Sequence, residues 1–152
     1  MIQVVDASVA AKWFFAENGD QEARELALSG GALIAPDLIV PEVCNVALRK
    51  AVEKEITFER AQAIALQLPE LLNRLIPGAE LAPRAIELAI KLRHPVYDCF
   101  YLALAEIADG ELVTADMKFL KVIGRAGFDR KRIRLIGDLS PRSALSNFFQ
   151  IA

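Results

Sequence analysis

A chain of 152 residues that is 54% hydrophobic and 25% charged can bury a core of its own and is too apolar to be disordered. Its formal net charge of −2 excludes nucleic-acid binding by bulk charge, so a phosphate backbone would have to be met by a local basic patch or by bound metal. With one histidine, His94, and two distant cysteines, Cys44 and Cys99, it lacks a zinc-ligand set and a disulfide framework.

Both thiols are expected to be reduced. No apolar run is long enough to span a membrane, and the opening MIQVVDAS lacks the basic and apolar regions of a leader. The protein is therefore expected in the cytoplasm.

In chain order, IQVV at 2–5 reads as a buried strand ending at Asp6. SVAAKWFFA at 8–16 suits a helix capped by Ser8, and 20–28 a second helix stopped by Gly30-Gly31. ALIA at 32–35 is strand-like. Residues 38–54 form a long helical region with Glu42, Asn45 and Arg49. Helical periodicity over 58–73 is broken by Pro69, AELA at 79–82 is a weak strand, and Pro83 opens a helix over 83–92. A helix over 96–108 carries Asp98, a strand at 111–114 leads into Asp116, a helix covers 117–125, and IRLI at 133–136 is the last strand. Strands alternating with helices argue for an α/β fold, a parallel sheet wrapped on both faces, over one domain of residues 1–152. The tail after Asp138 carries no assignment.

Open parallel sheets bind ligands outside the carboxyl ends of their strands. Asp6 directly follows the first strand, and Asp116 lies two residues past one that ends at Thr114. Glu42 and Asp98 fall in first helical turns after Pro41 and Pro95, where a carboxylate also favours the helix dipole without any function. Four carboxylates in one crevice would repel each other unless cations bind there. Oxygen donors without histidine or cysteine suit Mg²⁺ or Mn²⁺, which orient water and stabilise in-line displacement at phosphorus. Ser8 and Thr114 place a hydroxyl two residues from Asp6 and Asp116; these could position a carboxylate, a water or a phosphate oxygen, and Ser8 could equally be a plain helix cap.

VVDASVAAKW at 4–13, PEVCNVALRKA at 41–51, HPVYDCFYLALAE at 94–106 and LVTADMKFL at 112–120 resemble the four acidic motifs of PIN domains. Their order and spacing are similar to those of the VapC toxins of toxin–antitoxin pairs. The resemblance implies an α/β/α sandwich with a five-stranded parallel sheet. It implies a Mg²⁺- or Mn²⁺-dependent endoribonuclease, dimeric and silenced by a small antitoxin protein. Carried over, Asp6, Glu42, Asp98 and Asp116 are the catalytic and metal-binding acids, and Thr114 matches the small polar residue before the last of them.

Asn45 and Arg49 share a helix face with Glu42, so they could hold a water or a phosphate or form a solvated stripe. Lys118 opens a basic stretch running to Arg134 that could track an RNA backbone or be an ordinary solvated face. Trp13, Phe14, Phe15, Tyr97 and Tyr101 are expected to pack, and His94 to have no catalytic role. Two other readings compete: a non-catalytic PIN-like module that binds a partner, and another Asp-dependent α/β phosphatase or receiver-type domain. A receiver wants paired acids after its first strand and a dehalogenase-like enzyme wants DxD, whereas here residue 8 is Ser8.

Overall fold

The computed structural model describes residues 1–137; the tail from residue 138 lies outside them. Five strands form one all-parallel sheet: β1 (Ile2–Val5), β2 (Ala32–Pro36), β3 (Arg74–Ile76), β4 (Glu111–Thr114) and β5 (Ile133–Leu135). Their order is β3-β2-β1-β4-β5. The chain starts in the middle, builds outward through β2 and β3, then returns to the other side of β1 for β4 and β5. In register, Val4 pairs with Ile34 on one side and Leu112 on the other. The strand order therefore reverses between β1 and β4, and a crevice opens there at the carboxyl ends.

Successive strand residues face opposite sides of a sheet. Val4 and Val5 are both 0% exposed, as are Leu112 and Val113, so both faces are covered. The covering helices are α1 (Ala7–Ala11), α2 (Asp20–Leu28), α3 (Ile39–Val52), α4 (Phe58–Glu70), α5 (Gly78–Leu92), α6 (Val96–Ile107) and α7 (Met117–Arg125). Helix α6 packs on β1, β2 and β4 and against α5, which explains the buried run from Tyr101 to Ala105. This is the expected α/β/α arrangement. Cys44 and Cys99 are unbridged.

Several expected elements differ, each for a local reason. The first helix ends at Ala11 rather than residue 16. There the backbone tightens into i to i−3 bonds, Trp13 N–H to Ala10 and Phe14 N–H to Ala11. This turn lets the Trp13 indole donate to the Ala23 carbonyl at 2.9 Å and buries Phe15. Residues 79–82 are helix, not strand, because α5 begins at Gly78, whose N–H donates to Asp37 Oδ1 at 3.0 Å. Pro83 lies inside that helix rather than at its start. The strand sits instead at 74–76, where the expected fourth helix was to end. It is pinned by Asn73, which exchanges N–H···O bonds with Leu33 at 2.7 and 2.8 Å, one through its side-chain oxygen.

Candidate active site

The carboxyl end of β1 and the carboxyl end of β4 are stitched together around Asp6. This residue caps α1 in place of Ser8: its Oδ1 accepts from the Val9 N–H at 3.2 Å. The Ser8 hydroxyl donates to the same oxygen and accepts from the Ala115 N–H at 3.0 Å. The Thr114 hydroxyl donates to Asp6 Oδ2 and accepts from the Asp116 N–H at 3.1 Å. Thr114 is 0% exposed and Ser8 is half-buried, and each hydroxyl joins the Asp6 carboxylate to the loop after β4.

Asp6 itself is 6% exposed. Burial pushes its carboxyl up to about 6, against the pull of Ser8, Thr114 and the Val9 N–H; the charge of Asp98 adds to the rise. Desolvation, more than repulsion among the acids, is thus the main cost here. Glu42, in the first turn of α3, is also raised, first by burial and then by Asp98. The Tyr101 hydroxyl of α6 donates to Glu42 Oε1 at 2.6 Å. Burial, then the Glu42 charge, holds that phenol far above its usual range, so it stays a donor. Cys99 is pushed up to about 11, by burial and then by Asp98.

Asp98 lies in the first turn of α6, with Oδ2 2.6 Å from His94 Nε2. The imidazole stacks on Phe119, ring centroids 4.8 Å apart and planes within 20°. Phe119 in turn belongs to the first turn of α7, which Asp116 caps: its Oδ1 accepts from the Lys118 and Phe119 N–H groups at 2.9 and 3.1 Å. A contact chain therefore runs from Asp98 through His94 and Phe119 to Asp116.

The structure gathers Asp6, Glu42 and Asp98 into one electrostatic neighbourhood and hangs Asp116 on its edge through Thr114. Glu42, Asp98 and Asp116 are each held by one oxygen, and among the described residues no donor reaches the other. Beside Glu42 an open groove of about 490 Å³ is lined by Ser8, Lys12, Glu17, Asn45 and Arg49. Lys118 lies outside it, exposed on α7.

The PIN domain family model matches residues 4–124, an interval that contains all four acids, the end of β1 and the whole of β2, β3 and β4. The chain belongs to the PIN-domain family. Among its relatives, Ribonuclease VapC1 of Mycobacterium tuberculosis is 37% identical over 92 residues, 59% of this chain and 67% of that protein. Ribonuclease VapC3 of Pyrobaculum aerophilum is 32% identical over 115 residues, 74% of this chain and 88% of that one.

Three side chains of this PIN domain's site escaped the sequence reading. His94 and Asp98 are i, i+4, and Asp98 and Tyr101 are i, i+3, spacings that signal one helix face. Lys12, 3.5 Å from Glu17, lies on the turn that replaces the expected end of the first helix. No pattern announced it.

The acids fit a hard divalent cation. The donors are all oxygen, three carboxylate oxygens are unengaged among the described residues, and burial is the largest influence on the Asp6 charge. Among the described residues no three ligating side chains stand close enough to cage an ion. Mg²⁺ accepts such a site, because it keeps several waters and takes one or two carboxylates together with phosphate oxygens.

Proposed function

We propose that this PIN domain is a Mg²⁺- or Mn²⁺-dependent endoribonuclease, the toxin of a toxin–antitoxin pair, acting as one domain in the cytoplasm. The observation that carries the reading is the set of acids at the β1/β4 switch point, three with one oxygen held and one oxygen open. Of Asp6, Glu42, Asp98 and Asp116, one or two would ligate the cation directly and the others would act through its waters; the cation when bound would supply charge stabilisation to displacement at phosphorus. The relatives named as ribonucleases, matched over 59% and 74% of this chain, support RNA as the substrate.

The chain's own residues have separable tasks in this reading. Ser8 and Thr114 fix the Asp6 carboxylate from two sides. Tyr101 fixes Glu42, and His94 fixes Asp98. Asn45 and Arg49 line the groove beside Glu42, where a guanidinium can pair with a phosphate. Lys118, exposed in the first turn of α7, can reach a flanking phosphate. Asp6→Asn, Asp98→Asn and Asp116→Asn should each lower RNA cleavage by orders of magnitude with the circular dichroism spectrum unchanged, since the change removes charge and hardly alters shape. An Asp98→Asn protein that cuts RNA at the parent rate with Mg²⁺ would overturn the assignment.

A homodimer and a small antitoxin protein are the proposed partners. Leu48, Val52, Phe58 and Leu66 are more than half exposed on α3 and α4, apolar area that a second chain would cover. Light scattering should give twice the monomer mass, and co-expression with a neighbouring small protein should give a stable complex. A monomer at high micromolar concentration would argue against the dimer.

A further inference from the structure

We propose that the groove along α7 is a binding track for the single-stranded RNA that flanks the cleavage site; the inference rests on the nuclease reading above. Lys118, Lys121, Arg125, Arg130 and Lys131 are exposed, and none is paired with an acid among the described residues. Their neighbours show the contrast: Arg132 is held by Asp109 at 2.5 Å and Arg134 by Glu22 at 3.6 Å. On a chain of net charge −2, five unpaired cations on one short helix and the turn after it are a local field of the opposite sign. A polyanion is its complement.

The shape of the patch narrows the class of polyanion. Lys121, Arg125 and Arg130 rim an open cavity of about 530 Å³ whose floor is apolar, formed by Met117, Leu120 and Phe128. Gly124 also lines it, and a Cβ there would meet nothing within 4 Å, so this helical glycine is not demanded by packing. Cations beside an apolar floor are what a single strand requires: phosphates to the charges and a base against the floor, next to the Phe128 ring, over which Lys91 Nζ stands 5.4 Å from the centroid. An acidic peptide would use the rim and leave the floor idle. The track also starts at the right place. Asp116 caps α7, and Arg125 lies nine residues further, about 13 Å along the axis. A strand crossing the acids therefore meets Lys118 first, then Lys121 and Arg125.

The test compares substrate lengths on the full chain. The variants are Lys121→Gln/Arg125→Gln/Arg130→Gln and, separately, Gly124→Glu, which sets a carboxylate on the floor where the fold has room. Cleavage is measured on a tetraribonucleotide and on an unstructured 14-mer, and binding of the 14-mer is measured in chelator against salt. Expected are parent rates on the tetramer with both variants, and loss of the parent's preference for the 14-mer through a raised KM. The slope of log affinity against log salt should fall by about 2 in the triple variant, at roughly 0.7 per phosphate contact. Retention of both the length preference and the slope would overturn the track. So would an unchanged RNA slope in a variant that has lost binding of a polyglutamate peptide. If the parent protein cuts neither substrate, the nuclease reading falls, and the salt slope still decides whether α7 holds RNA.

Discussion

A carboxyl that is nearly dry and still accepts three hydrogen bonds is a compromise, and Asp6 makes it visible. Its proton is bound more tightly in the fold, at about 6, than at the ordinary value of 3.8. Between those two pH values the folded state holds more protons than the unfolded one, so stability falls as pH rises through the window. A shift of that size corresponds to about 3 kcal/mol, absent below pH 4 and complete above pH 6. In chelator, Asp6→Asn should therefore gain stability over the parent as pH is raised from 4 to 7, and urea midpoints at several pH values would show it. Parallel pH curves for the two proteins would mean that Asp6 is not the titrating group. Glu42 is raised in the same sense and adds to the slope.

At the scale of elements, the sequence could show which residues end strands but not how their loops are joined. Asp6 and Asp116 were legible because each follows a short apolar run at a sheet's carboxyl end. Helix α6 was legible because its length and apolar content leave no other choice. The cap of α1 was not: Asp6 and Ser8 are both good caps, and only the contact of Ser8 with Ala115, 107 positions away, assigns them different tasks. β3 was missed because a strand of three residues has no alternation to read, and it exists through Asn73 and Leu33, 40 positions apart. The α1–β4 stitch can be tested by Thr114→Val, which keeps the shape and deletes the hydroxyl. It leaves the Asp116 N–H without its acceptor and takes one donor from Asp6. Unfolding in urea at pH 7 should show a loss of about 1–3 kcal/mol, the range for a buried polar group stripped of its partner. A variant as stable as the parent would show that the stitch is incidental.

For the whole molecule, the metal-free fold carries a cost that a cation would remove, and the structure says which acid carries it. Four acids near one switch point would make Asp116 as suitable a place to relieve repulsion as any other. Yet Asp116 caps α7 with two N–H groups and sits at the positive end of the helix dipole, so its charge is favourable where it stands. Asp6 is the buried one, and burial is the largest cause of its raised carboxyl. A divalent ion that binds only the folded state adds RT ln(1 + [L]/Kd), about 2.7 kcal/mol at a hundredfold excess over Kd. Millimolar Mn²⁺ should thus raise the melting temperature, and Na⁺ at equal ionic strength should do less. In chelator, Asp6→Asn should melt higher relative to the parent at pH 7 than at pH 4, because it removes a dry charge; Asp116→Asn removes a charge that the α7 dipole favours, and asparagine caps either helix as aspartate does. Both should gain less than the parent on addition of Mn²⁺. If the parent shows no shift with Mn²⁺, the acids do not share a cation site, and the switch-point crevice loses the chemistry proposed for it.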